Sequence, residues 1–157
     1  MMGTIYQISV DAPEATASPA VAAAFDEIAR LEDLLSEWRE ESSVSRVNAA
    51  AGERPVAVDA DTLRVVKAGL EISAWSDGAF DLTWAALRGL YDYQRGTSPS
   101  AAELARRLPL VDYRDVVVDE AARTVFLRRR KMALGTGGIG KGYALDRAAE
   151  VLESRGI

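Results

Sequence analysis

The stretch from Leu134 to Asp146, LGTGGIGKGYALD, constrains this chain more than any other. Gly135, Gly137, Gly138 and Gly140 crowd the residues just before a run, about Gly140 to Arg155, that has helical character and ends at Gly156. Glycine loses more backbone freedom on folding than any other residue, so a cluster of this kind marks a place where the main chain must approach something closely. A strand-to-helix connection can use such glycines for backbone packing alone. Lys141 sharpens the question, because a cation in the first turn of a helix opposes the helix dipole unless an anion lies nearby.

Two phosphate-handling patterns fit the stretch formally. Gly135 to Lys141 satisfy G-x-x-x-x-G-K, but Gly142 stands where the nucleotide P-loop needs a Ser or Thr hydroxyl for its metal. Gly135, Gly137 and Gly140 satisfy G-x-G-x-x-G, but that fingerprint needs an acidic residue about 20 positions further on, beyond Ile157.

Composition removes several other chemistries. Among the 157 residues there is no cysteine and no histidine, which excludes disulfides, thiolate or imidazole metal sites and a Ser-His-Asp triad built from this chain alone. A net charge of −5 argues against a nucleic-acid backbone as partner. The basic runs Arg106-Arg107 and Arg128 to Lys131 read as a solvated face or a strand end. No apolar run approaches the ~20 residues needed to span a bilayer. The opening MMGTIYQISV has neither the cationic start nor the cleavage site of a signal peptide.

The pattern along the chain predicts an α+β fold. Residues 2 to 10 read as a strand by their Thr, Ile, Tyr and Val content. Val21, Phe25, Ile28, Leu31, Leu35 and Trp38 recur at helical spacing, with Ser18 and Pro19 as cap and first turn. A short helical turn is expected over Ser42 to Asn48 and a loop from Ala49 to Pro55. A helix from Asp59 to Trp75 should stop at Gly78, and Phe80 to Tyr91 reads as helical. A third helix is expected from a cap at Ser98 or Ser100 to Leu108. Val116 to Val118 and Thr124 to Leu127 flank a turn and predict a hairpin. Three strands make a thin sheet, so the chain reads as the front part of a larger domain.

Four segments carry a family resemblance. Met2-Gly3-Thr4 with Tyr6 and Ile8 is similar to an M-G-T-x-Y-x-I opening. Trp38, Ser42, Ser45, Arg46 and Asn48 resemble a T-Y-x-x-x-S-x-x-S-R-h-N block. Gly78 to Thr83, followed by Leu87, Leu90 and Tyr91, resembles G-A-F-D-x-T-x-x-P-L-x-x-L-W. Gly137 to Asp146 resembles the L-G-G-I-A-K-G-Y-A-V-D segment. In this order they are the blocks of the FAD:protein FMN transferase family, the ApbE proteins.

The resemblance implies an ApbE-like α+β fold, a mixed or antiparallel sheet with packed helices, of which residues 1–157 form the N-terminal portion of a single domain. It implies transfer of FMN from FAD to a Thr or Ser hydroxyl of a target flavoprotein, with release of AMP and dependence on Mg²⁺. Met2, Trp38, Ala79, Phe80, Asp81, Gly137, Lys141 and Tyr143 would contact FAD, and the Gly140 carbonyl would face the metal. Asp146 would play a supporting role. On the residues alone, Trp38 and Phe80 can equally be core, and Asp81 a helix N-cap. The chain departs from the pattern at Gly135-Thr136 (where the family commonly has an aspartate), at Gly140 for alanine, and at Ala86 near the usual proline. The family's remaining metal ligands and its histidine region belong to a second half, and no general base is visible here. Family members are often periplasmic and lipid-anchored. The rival readings are a flavin-binding module without transfer chemistry and a P-loop-like nucleotide hydrolase. Preference for FAD over ATP separates the flavin readings from the hydrolase.

Overall fold

The computed structural model describes residues 2–92 and 94–157. Among the described residues five α-helices and a small sheet follow one another as α1 (Glu14–Leu35), α2 (Ser43–Ala49), β1 (Val56–Ala57), α3 (Ala60–Trp75), α4 (Ala101–Arg107), β2 (Val116–Asp119), β3 (Thr124–Leu127) and α5 (Gly140–Glu153). The sheet has three strands in the order β1-β3-β2, all antiparallel. The hairpin pairs Val116 with Leu127 and Asp119 with Thr124, and β1 adds Val56 opposite Val125.

Two apolar clusters hold the helices. On one side Ala24, Ile28, Leu31 and Leu35 of α1 face Ala144 and Ala148 of α5, with Val65 of α3 beneath them. The alanines let α1 and α5 lie close together, which fixes the start of α5 against the end of α1. On the other side Val44, Val47, Val66 and Leu82 pack on Val125, Leu127, Met132 and Leu134. Gly69 is required there, since a Cβ would come within 2.3 Å of the Leu82 side chain.

The caps at Ser42, Asp59 and Ser100 explain where three helices begin. Each side chain accepts from a backbone N–H three residues on, and Ser100 completes a capping box with Glu103. Leu108 lies in a 3₁₀ turn with Pro109, so α4 stops at Arg107.

Four expectations need correction. Residues 2 to 10 form no strand. Strand composition is only a propensity, and none of the described strands pairs with this segment. Tyr6 and Ile8 instead lie on the α1–α5 cluster. Helix α1 begins at Glu14 rather than at Pro19: the Thr16 and Ala17 N–H groups bond Pro13 O, the Glu14 carboxylate sits favourably in the first turn, and Pro19 is carried inside the helix. Phe80 to Tyr91 is helical only in a 3₁₀ turn at Ala85–Leu87. Tertiary bonds claim the rest: Gly135 N–H donates to Leu82 O at 2.8 Å, and Trp84 bridges Ala133 in parallel fashion. Strand β1, which follows Pro55, was not among the expected strands; it exists because β3 offers it an edge.

Candidate functional site

The glycine turn is built from its neighbours inward. Asn48, at the end of the S-x-x-S-R-V-N block, hydrogen-bonds both backbone groups of buried Leu134. The Thr136 hydroxyl, itself buried, donates to Leu35 O at 2.7 Å and ties the turn to the C-terminus of α1. The Thr136 carbonyl then accepts from Ile139 N–H at 3.0 Å and Gly140 N–H at 2.7 Å, which starts α5. No side chain caps that helix start. The N–H groups that a helix leaves unpaired at this end carry partial positive charge and suit an anion.

The glycines divide by what surrounds them. A Cβ on Gly135 would sit 2.5 Å from the Trp84 indole nitrogen and 2.9 Å from a Glu37 carboxylate oxygen. One on Gly138 would press at 3.0 Å on the Phe80 ring. Gly137 and Gly142, in contrast, have open space where a side chain would stand. Packing therefore requires Gly135 and constrains Gly138, whereas it leaves Gly137 free.

Beside the turn lies a cavity of about 150 Å³ lined by Met2, Glu32, Leu35, Glu37, Trp38, Thr136, Gly137, Gly140 and Lys141 among others. Met2, in a left-handed conformation at φ 49°, is held by its N–H donating to Glu32 Oε1 at 2.6 Å. Trp38 lies past the end of α1 in the loop to α2 and is 74% exposed, so it is a wall and not core. Lys141 is exposed on the first turn of α5, with Nζ donating to Gly137 O at 2.7 Å. Glu37 is nearly covered. Burial pushes its carboxyl above the usual range, against the pull of Arg88, the Thr136 N–H and Lys141.

Five of the residues expected from the resemblance, Met2, Trp38, Gly137, Gly140 and Lys141, thus meet at one cavity. The other four lie elsewhere. Phe80 supports the turn from beneath at Gly138, and Ala79 is exposed in the loop before it. Asp81 caps no helix: one oxygen accepts from the N–H and hydroxyl of Thr83 and the other from Tyr113 N–H, so it cross-links two loops. The Tyr143 phenol donates to Asp61 at 2.6 Å and accepts from Arg64 at 3.1 Å on α3, away from the cavity. Burial and the Asp61 carboxylate hold that phenol above its ordinary range, against Arg64. The residues not foreseen are Glu32, Glu37, Thr136, Trp84 and Arg88. Only the adjacency of Glu37 to Trp38 and of Thr136 to Gly137 hinted at two of them.

Among the described residues no three Asp or Glu side chains converge to hold a metal. Mg²⁺ is usually bound through one or two carboxylates with waters and substrate phosphates, so the Gly140 carbonyl would supply one ligand of a set that the described residues do not complete. Among the described residues the three-stranded sheet is antiparallel and the pairing directly before the turn is a single parallel bridge, Trp84 to Ala133, so no extended parallel βαβ unit of the kind that P-loop and dinucleotide fingerprints require leads into it.

These features define an α+β fold whose glycine turn opens a helix start onto a small cavity walled by apolar side chains (Met2, Leu35, Trp38) together with Glu32, Glu37 and Lys141. The chain belongs to the ApbE family, which it matches over residues 2–157. It is 35% identical over 135 residues, 85% of its length, to a FAD:protein FMN transferase of Klebsiella pneumoniae, covering 43% of that protein. A Vibrio cholerae FAD:protein FMN transferase is 27% identical over 99% of this chain and 48% of its own length. Among solved structures, the ApbE protein of Thermotoga maritima superposes with a TM-score of 0.84 at 28% identity, covering 92% of this chain and 48% of that one. The Pseudomonas stutzeri flavinyl transferase ApbE gives 0.80 at 27% identity, covering 94% of this chain and 47% of that one. The chain spans about half the length of the curated relatives it matches. Among the described residues no helix is long and apolar enough to cross a membrane.

Proposed function

We propose that this chain is the N-terminal, dinucleotide-holding portion of a FAD:protein FMN transferase. The single observation that carries the reading is the meeting of Met2, Trp38, Gly137 and Lys141 at one cavity beside the uncapped start of α5. Membership of the family and the names of its relatives support it.

Size supports placing only part of FAD there. A cavity of about 150 Å³ is well below the ~300–1,000 Å³ of a site that encloses a whole ligand of that class. The uncapped start of α5 and the open space at Gly137, which lets phosphate oxygens reach main-chain N–H groups, favour the pyrophosphate as that part. Lys141 supplies positive charge, and its ammonium exchanges the Gly137 carbonyl for a phosphate oxygen. The rings extend along the surface past Trp38. In the reaction, a Thr or Ser hydroxyl oxygen of the acceptor flavoprotein bonds to the FMN-side phosphorus. The bridging P–O bond breaks with its electron pair on the AMP phosphate, AMP leaves, and the hydroxyl proton passes to solvent water. Mg²⁺ is part of the proposal for the intact protein only, since the donor set here does not hold it.

The test is titration of the intact protein with FAD, with and without Mg²⁺, followed by AMP release in the presence of an acceptor. Binding with AMP formation supports the transferase, and binding without AMP supports a flavin-holding module. Failure to bind FAD overturns the proposal.

A further inference from the structure

Arg88 and Glu37 form a nearly covered pair that the proposed reaction does not use. Arg88 Nη2 lies 2.7 Å from Glu37 Oε2, with the two side chains 26% and 10% exposed. Neither atom has a well-aligned hydrogen bond, so the approach is held by charge. Two walls of the cavity meet at this pair. The Glu37 carboxylate sits against the glycine turn, where a Cβ on Gly135 would be 2.9 Å away. The guanidinium lies 4.4 Å from the centre of the Trp38 ring and 5.9 Å from that of Trp84. Arg88 Nη1 also donates to the Glu37 carbonyl at 3.3 Å, and Trp84 Nε1 donates to Gly135 O at 3.3 Å.

We propose that Arg88 is a positioning residue that fixes the Trp38 indole as a flat wall of the cavity and, through Glu37, registers that wall to the glycine turn. An indole exposed to 74% has little else to hold its rotamer. A guanidinium within ~6 Å of the ring face gives it a preferred orientation, and its planar shape lets it stack where an ammonium cannot. The occupant of that wall is a planar heteroaromatic ring of the dinucleotide; this identity rests on the flavin reading above.

Arg88→Ala would strand the covered Glu37 carboxylate and report on folding instead. Arg88→Lys keeps the charge and removes the stacking plane, so it is the variant to test. In the ligand-free intact protein labelled with 5-fluorotryptophan, Arg88→Lys should shift and sharpen the fluorine resonance of Trp38. Trp75, exposed at the end of α3, should not respond. An unchanged Trp38 resonance overturns the positioning role whatever the protein binds. In FAD titrations, Arg88→Lys should weaken affinity roughly two- to fivefold, and this loss should vanish in a Trp38→Ala background. Equal losses in both backgrounds would show that Arg88 does not act through Trp38. If the unsubstituted protein binds no FAD, the flavin reading fails by itself, and the fluorine spectra still decide the role of Arg88.

Discussion

Asn48 and Leu134, 86 residues apart, are joined by a pair of hydrogen bonds: Leu134 N–H donates to Asn48 Oδ1 at 2.7 Å, and Asn48 Nδ2 donates to Leu134 O at 3.0 Å. The carboxamide acts as a short piece of strand would, satisfying a main-chain donor and acceptor that are wholly buried. Asn48→Ala leaves both unpaired and should cost about 2–4 kcal/mol. Asn48→Asp keeps the acceptor but sets an oxygen against the Leu134 carbonyl, and should also destabilise. Chemical denaturation of the two variants checks this, and a loss under ~0.5 kcal/mol for Asn48→Ala would show that water replaces the amide.

The glycines of the turn should separate by experiment as they do by space. Gly135→Ala drives a methyl into the Trp84 ring and the Glu37 carboxylate and should lower stability by about 1–3 kcal/mol. Gly137→Ala meets nothing within 4 Å and should leave stability nearly unchanged. On the proposed function it should still weaken FAD binding, because the methyl would occupy the open space in which that proposal puts phosphate oxygens. Melting curves paired with FAD titrations give both readouts. Full FAD affinity in Gly137→Ala would mean that the ligand does not approach the turn at that point.

Asp59 links α2 to the start of α3. Its oxygens accept from Thr62 N–H at 2.8 Å, the Thr62 hydroxyl at 2.7 Å and the Ser43 hydroxyl at 2.8 Å. Burial alone would raise its pKa, but these donors outweigh burial and hold the carboxyl below its ordinary value. A depressed folded pKa contributes stability above the unfolded value of ~3.9, and this is lost as pH falls through the folded one. Asp59→Ala should therefore cost about 1–2 kcal/mol at neutral pH, with the difference narrowing below about pH 4. Urea unfolding across that range tests the sign; a gap that widens in acid would contradict it.

How far the sequence alone reached depended on whether a signal was local. The start of α3 near Asp59, a serine cap for α4 (Ser100, of the two offered with Ser98), the hairpin and the start of α5 follow from nearby residues and were expected, whereas the capping role of Asp59 was not. The segments 2 to 10 and 80 to 91 were misread because their conformation is set by distant partners: the α1–α5 cluster in one case, Tyr113 and Gly135 in the other. The site behaves alike. Lys141 and Gly137 stood out by type and place, whereas Arg88 acquires meaning only once Trp38, Trp84 and Glu37 are brought around it. The Asp81 motif residue likewise turned out to be a cross-link between loops, a role its spacing cannot express.

Lys141 gives the most direct test of the anion site. It is exposed, its Nζ touches only the Gly137 carbonyl among the hydrogen bonds described, and it sits at the positive end of α5. Folding gains little from a cation there, so Lys141→Ala should leave the melting temperature unchanged or slightly raised. A charge-assisted bond to a phosphate contributes ~1.5–3 kcal/mol, so the same change should weaken FAD binding roughly ten- to a hundredfold. Lys141→Arg should retain part of the affinity, and the wild-type advantage should shrink as salt rises, because the group is open to solvent. Isothermal titration of the three proteins at low and high ionic strength measures all of this. Equal FAD affinity in Lys141→Ala and wild type would remove the lysine from the site and leave the helix start alone to meet the pyrophosphate.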